Sequence, residues 1–199
     1  MTKNKKTVLY TEERFKIYTL NYKPEFEFLE MRQTHSKNIC TPLSLGSNTE
    51  GEDGIIFSIF DIDTAVIKTA DCLPICLIGD NDIGLIHAGW RGMRSKIHLD
   101  MDIKKINPHT IVIGPSICSS CFEVSPEFKE YFPQHEEYFY QDDDKLFFKI
   151  KDLALNQLSD HYPESNIIDS GQCTLCTDYW HSFRRNKTTK RNYTIFQKR

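Results

Sequence analysis

Short apolar runs separated by turn residues dominate the middle of the chain. Ile55-Ile56-Phe57-Ser58-Ile59, Thr64-Ala65-Val66-Ile67-Lys68 and Ile75-Cys76-Leu77-Ile78 are rich in β-branched side chains and read as three strands. Gly79-Asp80-Asn81-Asp82 has the composition of a tight turn, and Ile83-Gly84-Leu85-Ile86-His87-Ala88 returns from it, so these two runs read as a hairpin. Thr110-Ile111-Val112-Ile113 is a further buried strand closed by Gly114-Pro115. Leu146 to Ile150, Ile167 to Asp169 and Tyr193 to Phe196 are the remaining strand-like runs.

Helical signals are fewer. Arg91 to Lys105 reads as one helix of weak periodicity. Ser125-Pro126-Glu127 supplies an N-cap serine, proline at the first helical position and an acid in the first turn. Asp152 to His161 carries Leu153, Leu155 and Leu158 partly on one side. Hairpins mixed with helices predict an α+β chain. Its 199 residues, with no repeat and no Gly-, Ser- or Pro-rich linker, predict one domain over 1–199.

Composition narrows the function classes. A net charge of −3 offers no general attraction for nucleic acid. Asp142-Asp143-Asp144 and the basic tail from Arg184 to Arg199 read as solvated surface. The basic start MTKNKKTVLY lacks the apolar run of a signal peptide, and no apolar stretch approaches the ~20 residues of a membrane span. These features predict a cytoplasmic protein with no membrane partner. Seven cysteines, an odd number, argue against a disulfide framework and leave thiols free as ligands, nucleophiles or small buried hydrophobes.

Three segments place metal-ligand residue types beside strand ends: Gln33-Thr34-His35-Ser36, Thr69-Ala70-Asp71-Cys72-Leu73-Pro74 and His87-Ala88-Gly89-Trp90-Arg91-Gly92. Two imidazoles and one thiolate suit zinc. Three protein ligands leave a fourth position for water, as in catalytic sites, where the metal eases loss of that water's proton. Spacing cannot join residues so dispersed, and each taken alone reads first as an ordinary core or surface group. Cys118-x-x-Cys121 and Cys173-x-x-Cys176 form two further metal-type pairs. They could make a structural zinc or redox module, although the 51 residues between them far exceed the usual ~15–20.

The motifs QTH, TADCLP and HAGWRG, in that order, closely resemble those of the YfiH-type family, also called laccase-domain proteins or multi-copper polyphenol oxidoreductases. Ile113-Gly114-Pro115, Phe122-Glu123-Val124, Cys176-Thr177 and Ser182-Phe183-Arg184-Arg185 extend the resemblance over most of the chain. It implies a single-domain αβ sandwich with mixed β-sheets flanked by helices. It implies zinc on His35, Cys72 and His87. It also implies phosphorolysis of adenosine, inosine, guanosine and methylthioadenosine, together with deamination of adenosine. Purine nucleosides and phosphate are then the expected partners, and both monomer and homodimer stay open. Beside the ligands, Arg91 is the first candidate for an anion contact, with Arg184 and Arg185 next, because guanidinium groups pair well with phosphate; for these last two a structural salt bridge is the equal alternative. Asp71 and Glu123 are candidates for substrate binding or acid–base work, with turn capping as the alternative for both. The family's older label implies copper-dependent polyphenol oxidation. Seven histidines without a His-x-His pair suit copper clusters poorly. Hydrolysis of an amide in a cell-wall precursor is a third reading. Ser116 to Val124, Thr189-Lys190-Arg191 and His181 depart from the family pattern.

Overall fold

The computed structural model describes residues 3–199; the first two residues of the basic start lie outside the described residues. In chain order the strands are β1 (Lys6–Thr11), β2 (Phe15–Leu20), β3 (Leu29–Glu30), β4 (Ile39–Cys40), β5 (Gly54–Ser58), β6 (Thr64–Thr69), β7 (Leu73–Ile78), β8 (Asp82–Ala88), β9 (Thr110–Ile113), β10 (Glu123–Val124), β11 (Phe139–Asp142), β12 (Lys145–Phe148), β13 (Asn166–Asp169) and β14 (Asn192–Lys198). The α-helices are α1 (Trp90–Arg94), α2 (Met101–Lys104), α3 (Ile150–His161) and α4 (Phe183–Asn186). Mixed sheets with few helices give an α+β architecture, as the pattern predicted. No helix among the described residues is long and apolar enough to cross a membrane.

A five-stranded sheet runs in the order β1-β2-β14-β6-β3 and a six-stranded sheet in the order β13-β9-β7-β8-β5-β4. Phe15, Ile17, Ile67 and Phe196 of the first share a core with Phe57, Cys76, Ile78, Leu85 and Val112 of the second. The alternate residues Leu73, Ile75, Leu77 and Ile86 face another core, completed by Leu153 and Leu158 of α3 and by Phe148 of a small β10-β12-β11 sheet. β7 is therefore covered on both faces. This is why it reads as an unbroken apolar run rather than an alternating one. Each aliphatic side chain buried there stabilises the fold by roughly 1.5–3 kcal/mol.

Three expectations need correction. Arg91–Lys105 is not one helix. α1 ends at Arg94, Lys96 takes a left-handed φ of 56°, a 3-10 turn follows at Ile97–Leu99, and Asp100 caps α2 by accepting from the Asp102 N–H. Capping aspartate and left-handed geometry compete with helix continuation, which the weak periodicity could not resist. After Ser125 the chain forms a 3-10 helix, Pro126–Tyr131, and the serine side chain makes no cap hydrogen bond. The strand ending at Ile150 is also shorter than expected, because Ile150 opens α3. The N-terminal hairpin β1–β2 and the strand β11 gave no signal strong enough to be read from the pattern.

The 3-10 turn after α1 carries His98, which is fully buried and lies 2.9 Å through Nε2 from Gln157 Oε1 on α3. Burial pushes its pKa down to about 4; the Gln157 bond opposes this only in part, and the neighbouring His161 and Lys96 add to it. Between the unfolded value near ~6.5 and the folded value, the unfolded chain takes up a proton that the native protein refuses. Stability should therefore fall as pH drops from 6.5 to 4, by about 3 kcal/mol from this residue. Urea unfolding at several pH values should show that slope, and a His98→Gln variant should lose this part of it.

Candidate metal centre

The hairpin register brings two of the predicted ligands together. β7 and β8 are antiparallel with Leu73 opposite Ala88 and Pro74 opposite His87. Cys72, just before β7, thus meets the end of β8, where His87 points into the same space. His35 arrives from the loop between β3 and β4 with a left-handed φ of 64°. The ligand atoms of His35, Cys72 and His87 all lie within 4.8 Å of one another. Cys72 Sγ is 3.7 Å from His35 Nε2, and the two imidazole rings are 4.8 Å apart at 76°. For zinc bonds of ~2.3 Å to sulfur and ~2.0 Å to nitrogen, a tetrahedral edge is about 3.5 Å, so this donor set fits such an ion with little adjustment.

Asp53 is the residue that sequence reasoning missed. It ends a polar loop and precedes β5, whose first residue, Gly54, pairs with Ile86. That register sets Asp53 beside His87, whose N–H donates to the Asp53 carbonyl at 2.7 Å. The fully buried carboxylate lies 2.6 Å through Oδ1 from His87 Nδ1. Its Oδ2 accepts from the Thr34 N–H at 3.1 Å, the Ser36 N–H at 2.5 Å and the Ser36 hydroxyl at 2.8 Å. One carboxylate therefore orients the ring of His87 and brackets the strained backbone of His35. With Nδ1 donating to Asp53, Nε2 of His87 is left as the free donor atom, an arrangement that supports metal-bound histidines generally. The one available signal was an acid among others at a loop-to-strand junction, after Glu50 and Glu52, which is indistinguishable from solvated surface.

The electrostatics favour a thiolate. Burial opposes ionisation of Cys72, but hydrogen bonds and charge from His35 and His87 outweigh it and hold its pKa at about 6. For His87, burial acts downward, while Asp53 and Cys72 pull the pKa up to about 9. Burial acts upward on Asp53, and the hydrogen bonds from His87 and Ser36 leave its pKa lowered. Gly89 makes this packing possible: a Cβ there would stand 2.7 Å from His35 Cδ2 and 3.2 Å from Cys72 Sγ.

The other candidates divide into three groups. Arg91 lines an open cleft of about 390 Å³ with His35, Lys37, Glu50, Trp90 and Arg94, and its guanidinium lies 4.4 Å from the Trp90 ring. Asp71, with φ 98°, accepts from the Thr174 hydroxyl at 2.6 Å and the Arg184 N–H at 2.7 Å, so it pins two loops beside Cys72. Glu123 and Arg184 line a separate cleft, where Glu123 pairs with Lys145 at 3.2 Å and the Arg184 guanidinium donates to the Glu123 carbonyl. Arg185 is not presented to a cleft in this way: its guanidinium donates to the carbonyls of Trp180, Thr174, Leu175 and Thr177 and clamps that loop. His181 Nε2 lies 2.7 Å from the Asn21 carbonyl, tying the N-terminal hairpin to the C-terminal segment.

Relatives agree with this architecture. The family model for multi-copper polyphenol oxidoreductase laccase matches residues 4–197. A purine nucleoside phosphorylase of Aquifex aeolicus is 31% identical over 167 residues, 81% of this chain and 78% of that protein. An adenosine deaminase, RL5, from an unknown prokaryotic organism is 27% identical over 75% of this chain and 63% of its own length. The solved structure of Neisseria meningitidis protein NMB0706 superposes with a TM-score of 0.72 at 22% identity, covering 85% of this chain and 74% of that one. YlmD from Geobacillus stearothermophilus gives 0.71 at 23% identity, over 86% and 73%. The fold matches those structures and the family match runs through all three motifs, so the chain belongs to the multi-copper polyphenol oxidoreductase laccase family, the YfiH-type proteins.

Proposed function

We propose that the protein is a zinc-dependent purine nucleoside phosphorylase with adenosine deaminase and methylthioadenosine phosphorylase activity. The observation that carries this reading is the convergence of His35, Cys72 and His87 on one point, backed by Asp53 and opening beside Arg91. Relatives bearing both enzyme names support it.

His35, Cys72 and His87 would hold the ion. Bound there, zinc would supply Lewis-acid polarisation of a water or substrate oxygen. The chain's own residues would do the rest. Arg91, with Lys37 and Arg94 on the same cleft, would neutralise phosphate as it approaches C1′ of the ribose. Trp90 would hold the Arg91 guanidinium in place through the contact of 4.4 Å to its ring. Asp71 would act as a positioning residue, fixing the loop that presents Cys72. Arg184 and Glu123 would contribute from the neighbouring cleft, and Arg185 by holding the loop between Cys173 and Thr177 in place.

A mass-spectrometric screen of nucleosides with the zinc-loaded protein tests this reading. Inosine should give hypoxanthine only when phosphate is present, and adenosine should give inosine without it. Nucleosides left intact, together with copper-dependent oxidation of phenols or release of an amine from an amide substrate, would transfer the assignment to one of those chemistries.

A further inference from the structure

The second cysteine constellation plays no part in the chemistry above. Cys118 and Cys121 lie on the loop leaving β9, and Cys173 and Cys176 on the loop leaving β13. β9 and β13 are parallel neighbours, with Ile113 opposite Asp169, so both loops leave the same end of the sheet. A parallel bridge between Ser116 and Cys173 continues that pairing into the loops. This is why pairs separated by 51 residues meet in space.

We propose that Cys118, Cys121, Cys173 and Cys176 form a second metal site, which holds one zinc ion as a structural tetrathiolate. The four sulfurs all lie within 4.8 Å of one another. Cys176 Sγ is 3.9 Å from Cys118 Sγ and 3.3 Å from Cys121 Sγ. Zinc–sulfur bonds of ~2.3 Å require sulfur pairs about 3.8 Å apart, so the cluster already has the size of the coordination shell. Four protein ligands would leave no open position, the arrangement of a structural rather than a catalytic site.

The surroundings suit a tetrathiolate. The backbone N–H groups of Cys118 and Cys176 donate to Cys173 Sγ at 3.3 and 3.4 Å, and the Ser120 hydroxyl lies 3.3 Å from Cys118 Sγ. Donors aimed at sulfur favour its ionised, metal-binding form. The Arg185 guanidinium, bonded to the carbonyls of Thr174 and Leu175 within the second pair's turn, sets a positive charge close to the cluster. Binding is not a redox step: the ion replaces the thiol protons, which leave to solvent, and no electron is transferred.

The position gives the site a purpose. The Ile117 N–H donates to the Asp71 carbonyl at 2.9 Å, and the Thr174 hydroxyl donates to Asp71 Oδ1. Each contact is made by a residue next to one of the four cysteines. An ion there would lock both loops onto Asp71 and so fix the approach to Cys72.

Cobalt(II) substitution of the full chain, purified under reducing conditions, tests the proposal. The His35→Ala/Cys72→Ser variant keeps only the four-cysteine site. It should bind one cobalt per chain, with the intense sulfur-to-cobalt absorption of a tetrathiolate. The wild-type protein should bind two, and Cys118→Ser/Cys176→Ser one, with the weaker absorption of a single thiolate. If that last variant does not fold, alkylation of the wild-type protein decides: zinc should protect Cys118, Cys121, Cys173 and Cys176, and chelation should expose them. Absence of metal from His35→Ala/Cys72→Ser, equal alkylation with and without zinc, or a disulfide among the four in the reduced protein would overturn it. Because the two sites give different spectra, failure of this site is distinguishable from failure of the one at Cys72.

Discussion

Replacing Cys72 with alanine is expected to remove the metal from the first site and lower inosine phosphorolysis by about a thousandfold or more, the loss that follows when several kcal/mol of metal assistance disappears. The sulfur is the one soft donor of the trio, and its ionisation is favoured by the two histidines that would share the ion. The fold should survive, because Cys72 is only half-buried and lies outside the main cores. Metal content by elemental analysis and hypoxanthine formation from inosine are the two measurements, with circular dichroism as the control for folding. A Cys72→Ala protein whose metal content is undiminished from the wild type and which stays active would sink the assignment.

Asp53→Asn is expected to weaken metal affinity by about 10- to 100-fold without adding or deleting a heavy atom. The native carboxylate faces donors on both sides: His87 Nδ1 on one oxygen, and Thr34 and Ser36 on the other. An asparagine must set its NH2 against one of these groups. Turned toward Thr34 and Ser36, it opposes their N–H groups and loosens the backbone at His35. Turned toward His87, it asks Nδ1 to accept, which moves the imidazole proton to Nε2 and blocks the ligand atom. Either orientation damages one ligand. Competition with a chromogenic chelator measures the loss. Unchanged affinity would show that Asp53 does not orient the site.

Both predictions rest on residues of different legibility. Cys72 and His87 could be singled out because they stand in short motifs at the ends of apolar runs, and the runs themselves predicted the hairpin that joins them. His35 stood in a third ligand-type segment, but only the family resemblance tied it to the other two, since nothing in its spacing does. Asp53 could not be found at all. Its importance comes from the β5–β8 register, a long-range pairing that no local pattern encodes. Arg185 illustrates the converse: guanidinium chemistry suggested an anion contact, while the folded loop gives that group four backbone carbonyls.

The secondary structure divides in the same way. Strands buried on both faces announced themselves, because continuous apolar β-branched runs have few alternatives in water. The helix expected after β8 broke into pieces where Lys96 and Asp100 adopt their own local geometry. By itself, the sequence determined the α+β class, the central hairpin and the residue types of the candidate metal centre, all of which follow from local chemistry or contiguous motifs. Only the tertiary structure decided that one buried carboxylate holds both His87 and the backbone flanking His35, and that two distant CxxC pairs form one cluster. Both depend on which strand ends lie side by side, and the free energy that selects such pairings is spread over the whole core.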